Sequence, residues 1–292
     1  MDRCAAAASR QESVNKMSDT RDEQRFLVDV GLRNLYLPIR ARSRGNDAGQ
    51  PTVAEIGVAA RIWRKFEAGW IDGFIRIAHR HRGEVGPESL RANVMDYHHE
   101  FRAATVRIKL DYPFFYEKQA PVSGESGLVR YRCSCAAQLD TLERGPRVMH
   151  RLEIPVLTTY PVSHPDSGGL FARLSVVECD VETEGDGPFP EDFIDVVDRC
   201  ALSPVYSYLT AEDQAAVIAK VHRERKTSVM MIDEIKDELR RMNGVKSYAV
   251  RASNYGMLHP YSTFVATEKS NWAPLTAPGQ SEADGAFAAL AR

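Results

Sequence analysis

The histidines and cysteines of this chain are the first places to look for chemistry, because imidazole and thiolate carry protons, attack electrophiles and bind metals near neutral pH. His79 and His81 alternate with arginines at the end of a helical pattern, a position that suits capping and solvent. His98 and His99 are adjacent, so on a helix they diverge and do not converge on one metal. No His-x-x-x-His or His-Glu-x-x-His pair occurs. Cys133 and Cys135 stand two apart on a strand pattern and share a face; with no second pair at zinc-ligand spacing, strand packing is their expected role. The glycines match neither the phosphate loop nor the dinucleotide fingerprint, and there is no Gly-x-Ser-x-Gly elbow. One stretch does suggest a site. Ile154-Pro-Val-Leu-Thr-Thr-Tyr-Pro-Val-Ser163 is a β-branched, apolar strand that stops at Pro161 and opens into a loop, His164 to Gly169. A rigid strand aiming a polar rim is a sound place for a site, although a plain strand-to-strand connection reads the same way.

The elements that must position these residues follow from periodicity. Val28 to Arg42 alternates apolar and polar residues, Gly45 to Pro51 reads as a loop, and Val53 to Ile62 resumes a strand. Trp70 to Ala78 has helical spacing, and Pro87 suits the first position of a second helix through Glu100. Strands are predicted from Ala103, over 128–139, 148–157, 170–181 and 245–251, and over 262–267. Helices are predicted over 191–201, 212–223 and 227–242. The order is α+β, strands then helices twice over, with hints of two similar halves.

Composition bounds the rest. A chain of 292 residues with 43% hydrophobic and 27% charged content suits a globular protein with a substantial core. A formal net charge of −2 advertises neither nucleic acid nor an anionic membrane as partner, and no apolar run reaches membrane-spanning length. Five scattered cysteines point to a reducing compartment, so a cytoplasmic location is expected. Residues 1–24 read as a disordered tail, 25–270 as one bimodular domain with halves of about 25–160 and 161–270, and 271–292 as a flexible end.

Tyr112-Pro-Phe-Phe-Tyr-Glu-Lys-Gln-Ala-Pro-Val-Ser-Gly124, followed by Gly127-Leu-Val-Arg-Tyr131, resembles the signature of the type IB GTP cyclohydrolases. Asp29 to Arg40 is similar to that family's opening strand, Ile154-Pro-Val-Leu-Thr-Thr to its Val-Pro-Val-Thr-x-Leu, and Leu202-Ser-Pro-Val-Tyr206 to its Ser-Ser-Pro-Val-Tyr. The resemblance runs from Val28 to Glu268. It implies the tunnelling fold: two tandem antiparallel-sheet and helix-pair halves, assembled as a homo-oligomer, dimer or tetramer, with sites between chains. It also implies a divalent metal that activates water for attack on the imidazole ring of GTP.

The family's metal ligands then fall on Tyr160, Leu170, Gln214 and His259, and of these four only His259 is a family donor. Val162, Gly256 and Tyr261 stand where the family has further Cys, Glu and His residues, and Met230 where an acidic residue can anchor a purine. One donor does not hold zinc, which needs about three. The expectation is therefore a diverged member, repurposed to act on a heterocyclic small molecule without a metal cofactor. His259 would be its general acid/base and Tyr160 a proton donor, with Lys118 and Arg173 for an anionic group. Ser163, Asp213, Gln214 and Tyr261 complete the expected substrate contacts. Two alternatives stand beside it. One is a GTP cyclohydrolase with zinc or manganese on Asp213, His164 and His259; the other is an inactive ligand-binding or scaffold subunit.

Overall fold

Period-two alternation builds one large sheet. In the computed structural model, residues 27–63, 69–140, 145–167, 169–256 and 258–268 are described. The two tails expected at 1–24 and 271–292 lie outside them. β1 (Leu27–Ser43) and β2 (Asn46–Trp63) form a long hairpin, followed by helices α1 (Trp70–Arg80) and α2 (Pro87–Phe101) with the two-residue β3 (Glu84–Val85) between them. β4 (Thr105–Gln119), β5 (Ser126–Asp140), β6 (Arg147–Thr159) and β7 (Ala172–Thr183) come next. Helix α3 (Pro190–Cys200), the short β8 (Ser203–Pro204), α4 (Ala211–Arg223) and α5 (Ser228–Arg241) precede β9 (Val245–Tyr255) and β10 (Ser262–Glu268).

The strand order is β10-β9-β7-β6-β5-β4-β2-β1-β3, with β8 beside β6. All pairs are antiparallel except β1 with β3. The expected α+β class is what the chain adopts. Apart from the two-residue β3 and β8, the order is β-β-α-α-β-β from β1 to β5 and β-β-α-α-α-β-β from β6 to β10. β5 and β6, which join the two runs, pair from Arg132↔Glu153 to Gln138↔Arg147. A correction concerns Gly45 to Pro51. It is not a loop: Ser43 pairs with Asn46 across a two-residue turn, with Gly45 in the left-handed region at φ +77. Pro51 then lies within a strand, where it pairs with Arg40.

Alternate residues of each strand face the helices and form the core: Val106, Ile108 and Leu110 on β4, Leu152, Ile154 and Val156 on β6, Val177, Cys179 and Val181 on β7. Cys133 and Cys135 are buried there too, as strand packing requires. Phe74 of α1 meets Tyr97 and Phe101 of α2 edge-on, with ring centroids 5.0 and 4.9 Å apart. No helix among the described residues is long and apolar enough to cross a membrane.

The registers place the β4–β5, β6–β7 and β9–β10 turns at one end of the sheet: Gln119 faces Ser126, Thr159 faces Ala172, and Tyr255 faces Ser262. The start of α5 is tied to the same end. Thr159 N donates to the Lys226 carbonyl at 2.7 Å, and Lys226 N donates back to Thr159 Oγ1 at 2.7 Å.

Candidate functional site

Arg173 is the centre of this end. It enters on β7 opposite Thr158 of β6, on the face that packs against the helices, and is 8% exposed. Its Nη2 donates to Ser228 Oγ at 3.0 Å, and its guanidinium lies 5.8 Å from the centre of the Tyr160 ring. No carboxylate among the described residues pairs with it. Burial holds its pKa below the usual arginine value, the mark of a desolvated cation. Behind it runs a buried polar line across three strands: Thr158 Oγ1 meets Ser175 Oγ at 2.7 Å, and Ser175 Oγ donates to Asn254 Oδ1 at 2.8 Å.

Tyr160 is half-buried at the first residue after β6, where its backbone N–H donates to the Phe171 carbonyl at 2.7 Å. Ser163 is buried, and its hydroxyl donates to the Tyr160 carbonyl at 2.6 Å, so it holds the turn around Tyr160. Thus β6, the turn and β7 bring Tyr160, Ser163 and Arg173 together. The β9–β10 turn carries His259 and Tyr261, both exposed, with their rings stacked at 4.8 Å and 7°. The strand registers put this turn at the same end, although no direct contact joins His259 to Tyr160 or Arg173.

Asp213 has another task. It is completely buried in the first turn of α4, where its carboxylate accepts from Thr210 N and Oγ1, Val122 N, Ser123 N and Ser123 Oγ, at 2.6–2.9 Å. Burial alone would raise its pKa, but the bonds from Thr210, Ser123 and Val122 outweigh that and hold it well below the ordinary carboxylate range. It is the helix cap that ties α4 to the β4–β5 turn. Gln214 beside it is exposed and donates from Nε2 to the Leu209 carbonyl at 3.2 Å.

Lys118 is buried at the end of β4, with Nζ 2.5 Å from Asp198 of α3 and 5.4 Å from the Tyr131 ring centre. Desolvation lowers the lysine's pKa and raises that of Asp198, each against the pull of its partner. The lysine charge is therefore met inside the chain, whereas that of Arg173 is not.

The family described as type I GTP cyclohydrolase folE2 matches residues 14–265. The chain belongs to this family. Curated relatives share about a quarter of its residues along nearly the whole length. GTP cyclohydrolase FolE2 of Geobacter sp. (strain M21) is 26% identical over 260 residues, 88% of this chain and 96% of the relative. The enzyme of the same name from Geotalea uraniireducens (strain Rf4) is 27% identical over 257 residues, 88% of this chain and 92% of its own. Among solved structures, a uricase from Bacillus fastidious overlaps with a TM-score of 0.46 at 12% identity, covering 82% of this chain and 92% of that one.

The divalent metal implied by the family can now be tested against the residues in its place. Leu170 is a buried hydrocarbon, 4% exposed, whose backbone N–H donates to the His222 carbonyl at 3.4 Å. Tyr160 offers a phenol, Gln214 an amide already turned to Leu209, and His259 a ring stacked on Tyr261. No group of three His, Cys, Asp or Glu side chains that could hold a metal exists among the described residues. The alternative donors fare no better. Asp213 is saturated and enclosed, and His164 is exposed and paired with Asp166 at 3.1 Å. This donor set does not fit a three-coordinate protein site.

Sequence reasoning missed Thr158, Ser175, Asn254 and Ser228. Their signal was available: Ser175 and Asn254 occupy core-facing positions in runs otherwise filled by Val177, Cys179, Val250 and Ala252. A polar residue on the buried register of a strand needs a partner.

Proposed function

We propose that this chain is a small-molecule enzyme of the GTP cyclohydrolase family that takes an anionic, heterocyclic substrate at the hairpin end of its sheet and works without the family's metal. The observation that carries this reading is Arg173, a buried guanidinium with no carboxylate partner among the described residues and an aromatic ring beside it. A desolvated cation of this kind is expected to be completed by an anionic ligand group, which it can bind through two parallel N–H bonds. Ser228, Thr158, Ser175 and Asn254 hold the guanidinium in place from behind. Tyr160 supplies a hydroxyl at the position of the family thiolate. His259 is the side chain there that takes and returns a proton near neutral pH. Lys118, Asp213 and Ser163 then act by positioning the β4, α4 and β6–β7 backbone around the substrate. Gln214 and Tyr261 form its exposed rim.

A second reading is a GTP cyclohydrolase proper, favoured by relatives of that name along 88% of the chain. Guanine's amidine edge in a buried cleft calls for a carboxylate, which accepts two adjacent N–H donors. Met230 at the expected anchor cannot do so, and leaves donors unmade at roughly 1–3 kcal/mol each. Incubation with GTP followed by oxidation and pterin fluorescence separates the readings. The proposal expects no pterin and weak GTP binding by calorimetry. Pterin formed at an ordinary enzymatic rate would overturn it in favour of the second reading. An inactive ligand-binding subunit would bind the same anionic heterocycles with no turnover of any.

A further inference from the structure

We propose that the anion taken by Arg173 is a single carboxylate group, shared between that guanidinium and the N-terminus of α5. This deepens the function proposed above and rests on it.

Helix N-termini favour negative charge, yet the first turn of α5 carries no acidic residue. Thr227 caps the helix: its carbonyl accepts from Met231 N at 3.0 Å and its hydroxyl from Met230 N at 3.4 Å. The amides of Ser228 and Val229, the first two residues of α5, have no acceptor among the described residues. Against this positive end the chain sets a cation. Arg173 is 8% exposed, and its Nη2 donates to the Ser228 hydroxyl at 3.0 Å. Its Nε reaches Thr158 Oγ1 at 3.4 Å, while Nη1 donates to nothing among the described residues. Nor is Nη1 sealed off: the enclosed, partnerless side-chain nitrogens include Arg107 Nε but not this one. Guanidinium and helix N-terminus are both positive, so each raises the cost of burying the other until an anion lies beside both.

The neighbouring charges set the class of that anion. Lys226 Nζ meets Glu234 at 2.5 and 2.7 Å, and the exposed Arg225 donates to the Pro161 carbonyl at 3.2 Å. What remains is one desolvated guanidinium and about half a positive charge from the helix. One carboxylate balances that sum, whereas a phosphate dianion exceeds it. The carboxylate also matches the planar fork of the guanidinium. The Tyr160 ring, with its centre 5.8 Å from the guanidinium, lies within reach of an unsaturated ring that bears the carboxylate.

Pyridine-3-carboxylate is the probe, the uncharged pyridine-3-carboxamide its control and inorganic phosphate the rival anion. Each is added to the full chain at matched ionic strength, and binding is read by melting temperature and by broadening of the ligand resonances. The expected result is a saturable rise in melting temperature with the carboxylate, and roughly tenfold weaker binding of the amide and of phosphate. Val229→Glu places an acid in the first turn of α5 at a residue that is 60% exposed, so the variant folds. It should raise the melting temperature of the ligand-free chain and weaken the carboxylate roughly tenfold. Val229→Gln should change neither. Arg173→Lys keeps the charge but loses the fork, and should also weaken the carboxylate roughly tenfold. Carboxylate binding that Val229→Glu or Arg173→Lys leaves intact overturns the shared site. Phosphate binding more tightly than the carboxylate overturns the class and leaves the function proposed above standing. Absence of binding by either anion overturns both.

Discussion

At the scale of single residues, the chain uses polar groups in the core for two different ends. Arg173 is buried beside an aromatic ring with no carboxylate partner among the described residues, whereas His150 is buried against a thiol. His150 sits on β6 with Nδ1 3.1 Å from Cys135 Sγ, and Cys135 in turn lies 3.3 Å from the Tyr112 hydroxyl. Burial first, then the charges of Arg42 and Arg91, push its pKa down from 6.5 to about 4. The unfolded chain therefore binds a proton between these values that the folded chain refuses. Stability should be full above about pH 6.5 and fall as the pH drops from there to about 4, by roughly 3 kcal/mol in total. Urea midpoints measured across that window should show the slope, and His150→Leu should flatten it; an unchanged slope in the variant would contradict the assignment. The family resemblance named the residues expected at the site, and periodicity placed the elements that carry them. The sequence could not show that Asp213 is tied to the β4–β5 turn or that Lys118 is paired, since both depend on contacts across about 80 to 90 residues of chain.

At the scale of elements, a half-buried and a fully buried carboxylate tie α3 and α4 to β4 and its turn. Asp198 of α3 holds Lys118 of β4, and Asp213 of α4 holds the turn after β4. Removing one partner of a buried pair strands the other charge, at a cost of roughly 3–5 kcal/mol, whereas apolar replacement of both is often near neutral. Asp198→Leu alone should therefore lower the denaturant midpoint more than Lys118→Met with Asp198→Leu together. Equal losses would mean that the pair is solvated and does not position α3. Helix and strand identities were legible because the apolar positions repeat at two or at three to four residues. The β1–β2 turn was not: Gly45 to Pro51 has loop composition, yet pairing with β1 draws it into the sheet. Local composition yields there to the partner strand.

At the scale of the whole molecule, ten strands in one open sheet leave a face without helices. Leu128 is 62% exposed and Leu174 43%, on positions that alternate with buried ones, and β10 ends the sheet with Phe264 at 43%. Exposed apolar strand faces and edges are usually covered by association. Light scattering at micromolar concentration should give a dimer or a tetramer, and a stable monomer would count against a site shared between chains. The central claim concerns what this family member has in place of its metal. Elemental analysis of purified wild-type protein and of His259→Ala tests it most directly. The account predicts far less than one zinc or manganese per chain in both, with no rise in melting temperature when either metal is added. One tightly held metal ion per chain that the His259→Ala substitution removes would contradict it.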